Sequence, residues 1–311
     1  MKHTIAAGLL SILFLVSGTV SADEPTRKKS DSFSYKAKVF LKFNLKPGDQ
    51  YSFSSVVKQR IVQEAMGQQM TTTQDIASDY IYDVKSVDKG IATVNVTFNA
   101  LKMDTDVAGM QRLTYDSTNP DAGTDELKVM SNLIGKSFMM YINEEGNVEK
   151  VEGLAEIIGG VEGSQSELLK QSFGDSSMIQ NMNQITNIYP NQEVNIDDTW
   201  IKTFSGPIAG MMQSESTANF TLSQVSGDVA TLEVDGQMSF SKLTGSGGNP
   251  MLQGAEFNLN GTQQGTMEVD IASGLPVQTK LKQDISGNLE IQGMQIPMSI
   301  ISDITITGKK L

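Results

Sequence analysis

The feature that most constrains the fold is a two-residue hydrophobic period that returns along the chain. From Tyr35 to Leu45 every odd position is apolar and most even positions are polar. Ala92, Val94, Val96, Phe98 and Ala100 alternate with Thr93, Asn95, Thr97 and Asn99, and Ile296 to Ile306 alternates in the same way. Successive side chains of a strand point to opposite faces, so such a pattern sets one face on a core and the other in water. Ile76, Tyr80, Tyr82 and Val84 extend the theme, and Pro47-Gly48-Asp49 and Asp88-Lys89-Gly90 supply turns. The expected fold is mainly β: a large curved antiparallel sheet or open barrel.

The centre breaks the period. Between Thr124 and Ile134, Asp125 and Glu126 precede Leu127, Met130 and Leu133 at helical spacing. Residues 153–190 read as two or three short helices, with a stripe of Met178, Met182, Ile185 and Ile188, closed by Pro190. The two flanking parts echo one another. Ile91 to Val96 matches Val229 to Val234, Gly48 to Tyr51 matches Asp197 to Trp200, and Tyr141 to Gly146 matches Val269 to Gly274, in the same order. The predicted organisation is one compact unit of two related halves: a first β half at 35–152, a helical connector at 153–190 and a second β half at 191–311.

Residues 1–22 read as a signal peptide. Lys2 and His3 precede an apolar run from Ile5 to Val16, and Val20-Ser21-Ala22 supplies small residues for cleavage. The run is short for a bilayer span, so no integral membrane segment is expected in the mature chain. Residues 23–34 are polar and read as a disordered leader. Cleavage would remove the only histidine, and the chain has no cysteine. An exported chain of this length without disulfides points to the periplasm or exterior of a bacterium. A net charge of −12 argues against a nucleic-acid partner. The sequons at Asn95, Asn219 and Asn260 are triplets that threonine-rich strands generate by chance.

Several segments together carry a resemblance. Leu45 to Tyr51, Ile134 to Phe138, Gly146 to Val148, Val151 to Leu154, Ile188 to Pro190 and Val194 to Trp200 resemble an uncharacterised family of exported bacterial β-rich proteins. The resemblance spans about residues 40 to 305. It implies an exported location and a β fold, and it transfers no active site.

No catalytic centre is evident. Without histidine or cysteine after cleavage, a Ser-His-Asp or Cys-His arrangement and an ordinary zinc site lack their parts. Ser55-Val56-Val57-Lys58 spells a Ser-x-x-Lys motif, but on a strand its ends point to opposite faces. The carboxylates Asp49, Glu144, Glu145, Asp197, Asp198 and Asp270 fall mostly at turns. Asn143 to Asn147 lacks the ligand pattern of a calcium loop, and Gly245 to Pro250 lacks the strand, helix and lysine of a phosphate cradle. An outer-membrane barrel is disfavoured by few aromatics and the helical centre. No metal and no cofactor are expected.

The unusual residue is methionine, 17 in the chain. Met66, Met110, Met211 and Met294 adjoin glycine and glutamine, and Met294 pairs with Met298 at a spacing of four. Core filler, a deformable lining for an apolar ligand and soft-metal coordination all use thioethers. The leading reading is a non-catalytic binding or carrier module for an apolar small molecule or lipid. Tyr80, Tyr82, Phe98 and Met298 are expected to face inward, with Met66, Met110, Met211 and Met294 at a rim. The alternative is a structural or interaction protein of the bacterial envelope with no cavity; protein partners are left unnamed.

Overall fold

The structure is a computed structural model that describes residues 38–65, 67–159, 174–208, 212–242, 255–291 and 293–311. The signal and leader segments lie outside the described residues. The strands in the first part of the chain are β1 (Val39–Phe40), β2 (Gln50–Ala65), β3 (Gln68–Asp88), β4 (Ile91–Val107), β5 (Gln111–Asp116), β6 (Ser137–Asn143) and β7 (Val148–Glu152). Those in the second are β8 (Glu193–Val194), β9 (Thr199–Ile208), β10 (Met212–Ser226), β11 (Val229–Lys242), β12 (Glu256–Asp270), β13 (Pro276–Ile291) and β14 (Met294–Lys310). Between them stand helices α1 (Leu154–Gly159) and α2 (Asp175–Thr186).

The protein is built on one antiparallel sheet of 12 strands in the order β7-β6-β4-β3-β2-β14-β13-β12-β11-β10-β9, with β5 paired to β4. Each part of the chain is a meander, and the two join where β14 pairs with β2. Edge strands β7 and β9 are not paired with each other, so the sheet is an open barrel. Glycines at inward positions, among them Gly236, Gly261, Gly265 and Gly287, let neighbouring backbones approach closely and the sheet bend.

The alternation read from the sequence is the alternation of burial. Ile76, Val84, Val94, Val96, Phe98, Ile300, Ile304 and Ile306 all face the core. The outward face is charged in mid-strand: the register aligns Asp104, Asp75, Lys58, Asp303 and Lys282 across five neighbouring strands. From Asp75 to Lys282 the signs alternate, and Asp104, beside the like-charged Asp75, pairs with Arg112 instead; such pairs stabilise a face in water, whereas lipid would penalise them.

Three local expectations change. In β4, Asn99 is an extra residue, because Phe98 pairs with Tyr80 and Ala100 with Asp79. The bulge reverses the phase, so Leu101, Met103, Thr105 and Val107 face inward beyond it instead of Ala100. The stretch from Thr124 forms a 3-10 helix, Asp125–Asn132, with Met130 buried. The first predicted strand pairs only over Val39–Phe40, with Val194 and Glu193. Beyond it the chain keeps its alternation, Leu41, Phe43 and Leu45 buried, but crosses the end of the barrel instead of joining the sheet. Phe43 N donates to Glu144 O in the β6–β7 turn, and Asn44 N to Ser273 O in the β12–β13 turn.

Helix α2 closes the side of the barrel. It packs on both edge strands, β7 and β9. Asn183 takes the Val148 amide on Oδ1 at 2.7 Å, and the Lys202 amine donates to Asn187 Oδ1 at 2.9 Å. Its last residue, Thr186, donates to Gly146 O at 2.7 Å. Gly146 has φ +87°, and a Cβ there would fall on the Thr186 carbonyl. The site therefore requires glycine twice over, for conformation and for space.

Candidate functional site

The inward row next to the plugged end is built from small side chains. Ser78 pairs with Ser55, Ser55 with Ile306, and Ile306 with Thr279. The flanking rows carry Phe53, Tyr80 and Phe98 on one side and Val57, Ile76, Ile304 and Leu281 on the other. Two serines and a threonine between rows of large side chains leave a trough, and α2 spans it without filling it.

The resulting cavity has a free volume of about 710 Å³ with the space at its mouth included. Its floor is Phe53, Ser55, Ser78, Tyr80, Tyr82 and Ile306, and its roof is Met178, Met182 and Ile185 of α2. The Tyr82 hydroxyl reaches the Met182 sulfur at 3.4 Å. Phe53 and Tyr82 lie 4.7 Å apart between ring centroids, and Tyr80 and Phe98 5.5 Å. Tyr80 and Tyr82 are only half-buried by surface area, yet desolvation raises the pKa of both phenols. The surface they keep faces the cavity rather than bulk water; for Tyr80 the Ser78 hydroxyl offsets part of the shift. The Ser55 hydroxyl is buried with no hydrogen-bond partner.

Two smaller cavities adjoin it, their volumes likewise counted with the open space at their mouths. One, about 420 Å³, shares Ser78 and Tyr80 with the first and extends to Phe98, Leu101, Met130 and Leu133. The other, about 430 Å³, shares Ile185 and Ile306 and extends to Phe204, Gln263 and Thr279. Among the described residues no charged side chain lines any of the three. No three His, Cys, Asp or Glu side chains converge among the described residues either.

Of the residues expected to bind, Tyr80 and Tyr82 line the main cavity and Phe98 the adjoining one. Met298 is buried elsewhere, in a second apolar cluster with Ile61, Ile285 and Ile300. Met110 and Met294 are exposed at turns of the opposite end of the barrel, away from the cavity. Met66 and Met211 lie outside the described residues. Sequence reasoning saw the α2 stripe as helix packing and missed Ser55, Ser78 and Thr279. Their signal was a small polar residue at an inward position of an otherwise apolar face.

Between the two apolar clusters runs a buried polar belt. Thr105, Gln74, Gln59, Ser302, Gln283 and Gln263 are aligned by register across six neighbouring strands, and none is more than 7% exposed. Gln59 donates to Ser302 at 3.0 Å and Gln74 to Thr105 at 3.4 Å.

The fold is similar to that of lipovitellin, in a structure describing its lipid–protein interactions (TM-score 0.50, 9% identity). That likeness covers 86% of this chain, which spans a quarter of the lipovitellin chain. Weaker likenesses include an outer membrane channel from Pseudomonas putida F1 (TM-score 0.19, 6% identity, 90% of this chain and 100% of that one). Another is the β domain of the Bordetella autotransporter BrkA (TM-score 0.24, 8% identity, 82% of this chain and 98% of that one). No curated protein matches the sequence. A family model matches residues 89–276, more than half of the chain, and the protein belongs to that family, the family of unknown function DUF6263.

Proposed function

We propose that this protein is an exported, non-catalytic binding or carrier module of the bacterial envelope, and that its ligand is an apolar or amphiphilic molecule held beneath α2. The observation that carries the reading is the trough of Ser55, Ser78 and Ile306 roofed by Met178, Met182 and Ile185. Apolar pockets in barrel mouths suit small apolar ligands. A roof of methionine and isoleucine adapts to varied shapes. The lipovitellin likeness supports the fold, and lipid contacts described for that protein are compatible with this use of it.

The test is titration with the apolar fluorophore N-phenyl-1-naphthylamine. We expect saturable binding with a one-to-one limit. Ser55→Leu, which fills the trough from its floor, should abolish it while the circular dichroism spectrum stays unchanged. Absence of saturable binding to the folded protein would favour a structural protein with no ligand.

A further inference from the structure

Resting on that reading, we infer that the ligand is an uncharged single-chain amphiphile, lying across the strands with its hydroxyl-bearing end at Thr279 and Gln263. Shared walls set the three cavities in file: Ser78 and Tyr80 join the first pair, Ile185 and Ile306 the second. The walls of the file run from β4 round the sheet to β9, with α2 above. An acyl chain occupies about 15 Å of a bilayer leaflet, half of the hydrocarbon core. The file is read as the bed of one such chain with a compact head at one end.

The two ends differ in chemistry. At the β4 end, beyond the shared Ser78 and Tyr80, the lining is apolar, with Ile76, Phe98, Leu101, Met103 and Leu133 among it. At the other end, beside Phe204, Phe220 and Val234, it includes Gln184, Ser216, Gln263 and Thr279. Thr279 is 1% exposed and its hydroxyl has no partner, while Gln263 is 7% exposed. A buried hydroxyl without a partner costs free energy that a ligand hydroxyl or ester would recover. No described cavity wall carries a charge, so a carboxylate or phosphate there would lose its hydration without compensation. The polar end therefore selects for neutral hydrogen-bonding heads, and the apolar end holds the hydrocarbon.

The experiment is displacement of N-phenyl-1-naphthylamine at pH 8 by monopalmitoylglycerol, hexadecanol, palmitate and hexadecane, each below its aggregation concentration. We expect the two neutral amphiphiles to displace the fluorophore at least about tenfold more tightly than palmitate. Thr279→Val and Gln263→Leu should each remove most of the preference of monopalmitoylglycerol over hexadecane. Palmitate binding as tightly as hexadecanol, or no effect of either substitution, would overturn the inference even with the fluorophore bound. Failure of the fluorophore itself would instead sink the carrier reading beneath it. If one variant fails to fold, the ligand series on the unmodified protein still decides.

Discussion

Gln59 and Gln74 face each other across β2 and β3 in the middle of the buried belt, and the Oε1 of each has no hydrogen-bond partner. A buried acceptor left unpaired costs about 1–3 kcal/mol. The single bond from Gln74 to Thr105, at 3.4 Å, recovers little of that. Replacing both partners with apolar groups of similar shape should therefore help: Gln74→Met with Thr105→Val is expected to raise stability by about 1 kcal/mol in urea denaturation. A clear loss would mean that the belt is satisfied by ordered water. A second residue-scale prediction concerns Asp116 on β5. Hydrogen bonds from Thr118, and then Lys102, hold its pKa down at about 2 against an ordinary 3.8. Asp104 is likewise lowered, by Arg112. A carboxyl depressed in the folded state stabilises it above the ordinary pKa and loses that contribution as pH falls toward the folded one. Amides of β5 should thus lose hydrogen-exchange protection between about pH 4 and pH 2, before those of β2 or β14. Simultaneous loss in all three strands would show that these exposed carboxylates do not matter locally.

At the scale of elements, α2 replaces the strand that would have closed the barrel, and its seat depends on one turn. The Gly146 position leaves no space for a side chain under Thr186 and holds a backbone conformation that L residues rarely adopt. Gly146→Ala is expected to cost more than about 2 kcal/mol and to unseat the C-terminal turn of the helix. Thermal unfolding measures the first effect and exchange of the 182–187 amides the second. An unchanged Tm with an unchanged fluorophore affinity would remove the turn from the argument. The helix itself was legible, because Met178, Met182 and Ile185 repeat at helical spacing. So were β3, β4 and β14, whose inward period of two the sequence carries in the open. Three things were not legible, for physical reasons. The bulge at Asn99 shifts the phase without changing composition. Residues 39–45 keep strand periodicity because the plug they form also has one buried and one exposed side. The cavity floor and the glutamine belt consist of isolated polar interruptions in separate strands, and only the pairing register brings them into rows. The methionine rim was inferred from neighbouring glycines, and the turns at Met110 and Met294 lie at the end remote from the cavity.

At the scale of the whole molecule, the sheet is two meanders sewn together by a single seam. Strand β2 opens the first, β14 ends the second, and the seam runs from Gln63 opposite Met298 to Tyr51 opposite Lys310. The three sequence echoes sit at matching points of the meanders: at the starts of β2 and β9, at the starts of β4 and β11, and around the turns after β6 and β12. The two turns do the same work, since Gly146 receives Thr186 and Gly274 receives the crossing backbone at Lys42. Apart from the two-residue β1–β8 pairing, every strand pair except the seam is local within one meander, so the seam carries the largest loop-closure cost and is expected to form last. Cutting the chain between Gly159 and Gly174 leaves each meander whole and breaks no strand pair. Each fragment alone would expose one apolar face and one long edge strand, which drives either aggregation or pairing. Co-expressed fragments 38–159 and 174–311 should therefore associate one to one and recover fluorophore binding, while either alone should be insoluble or molten. Cutting instead within β14 should abolish recovery, because it removes the strand on both sides of which the rest of the sheet depends. Fragments that fold separately as stable monomers would show that the seam is an interface between independent domains, and the cavity, whose floor is shared by β2, β3 and β14, would then have to be assembled after folding.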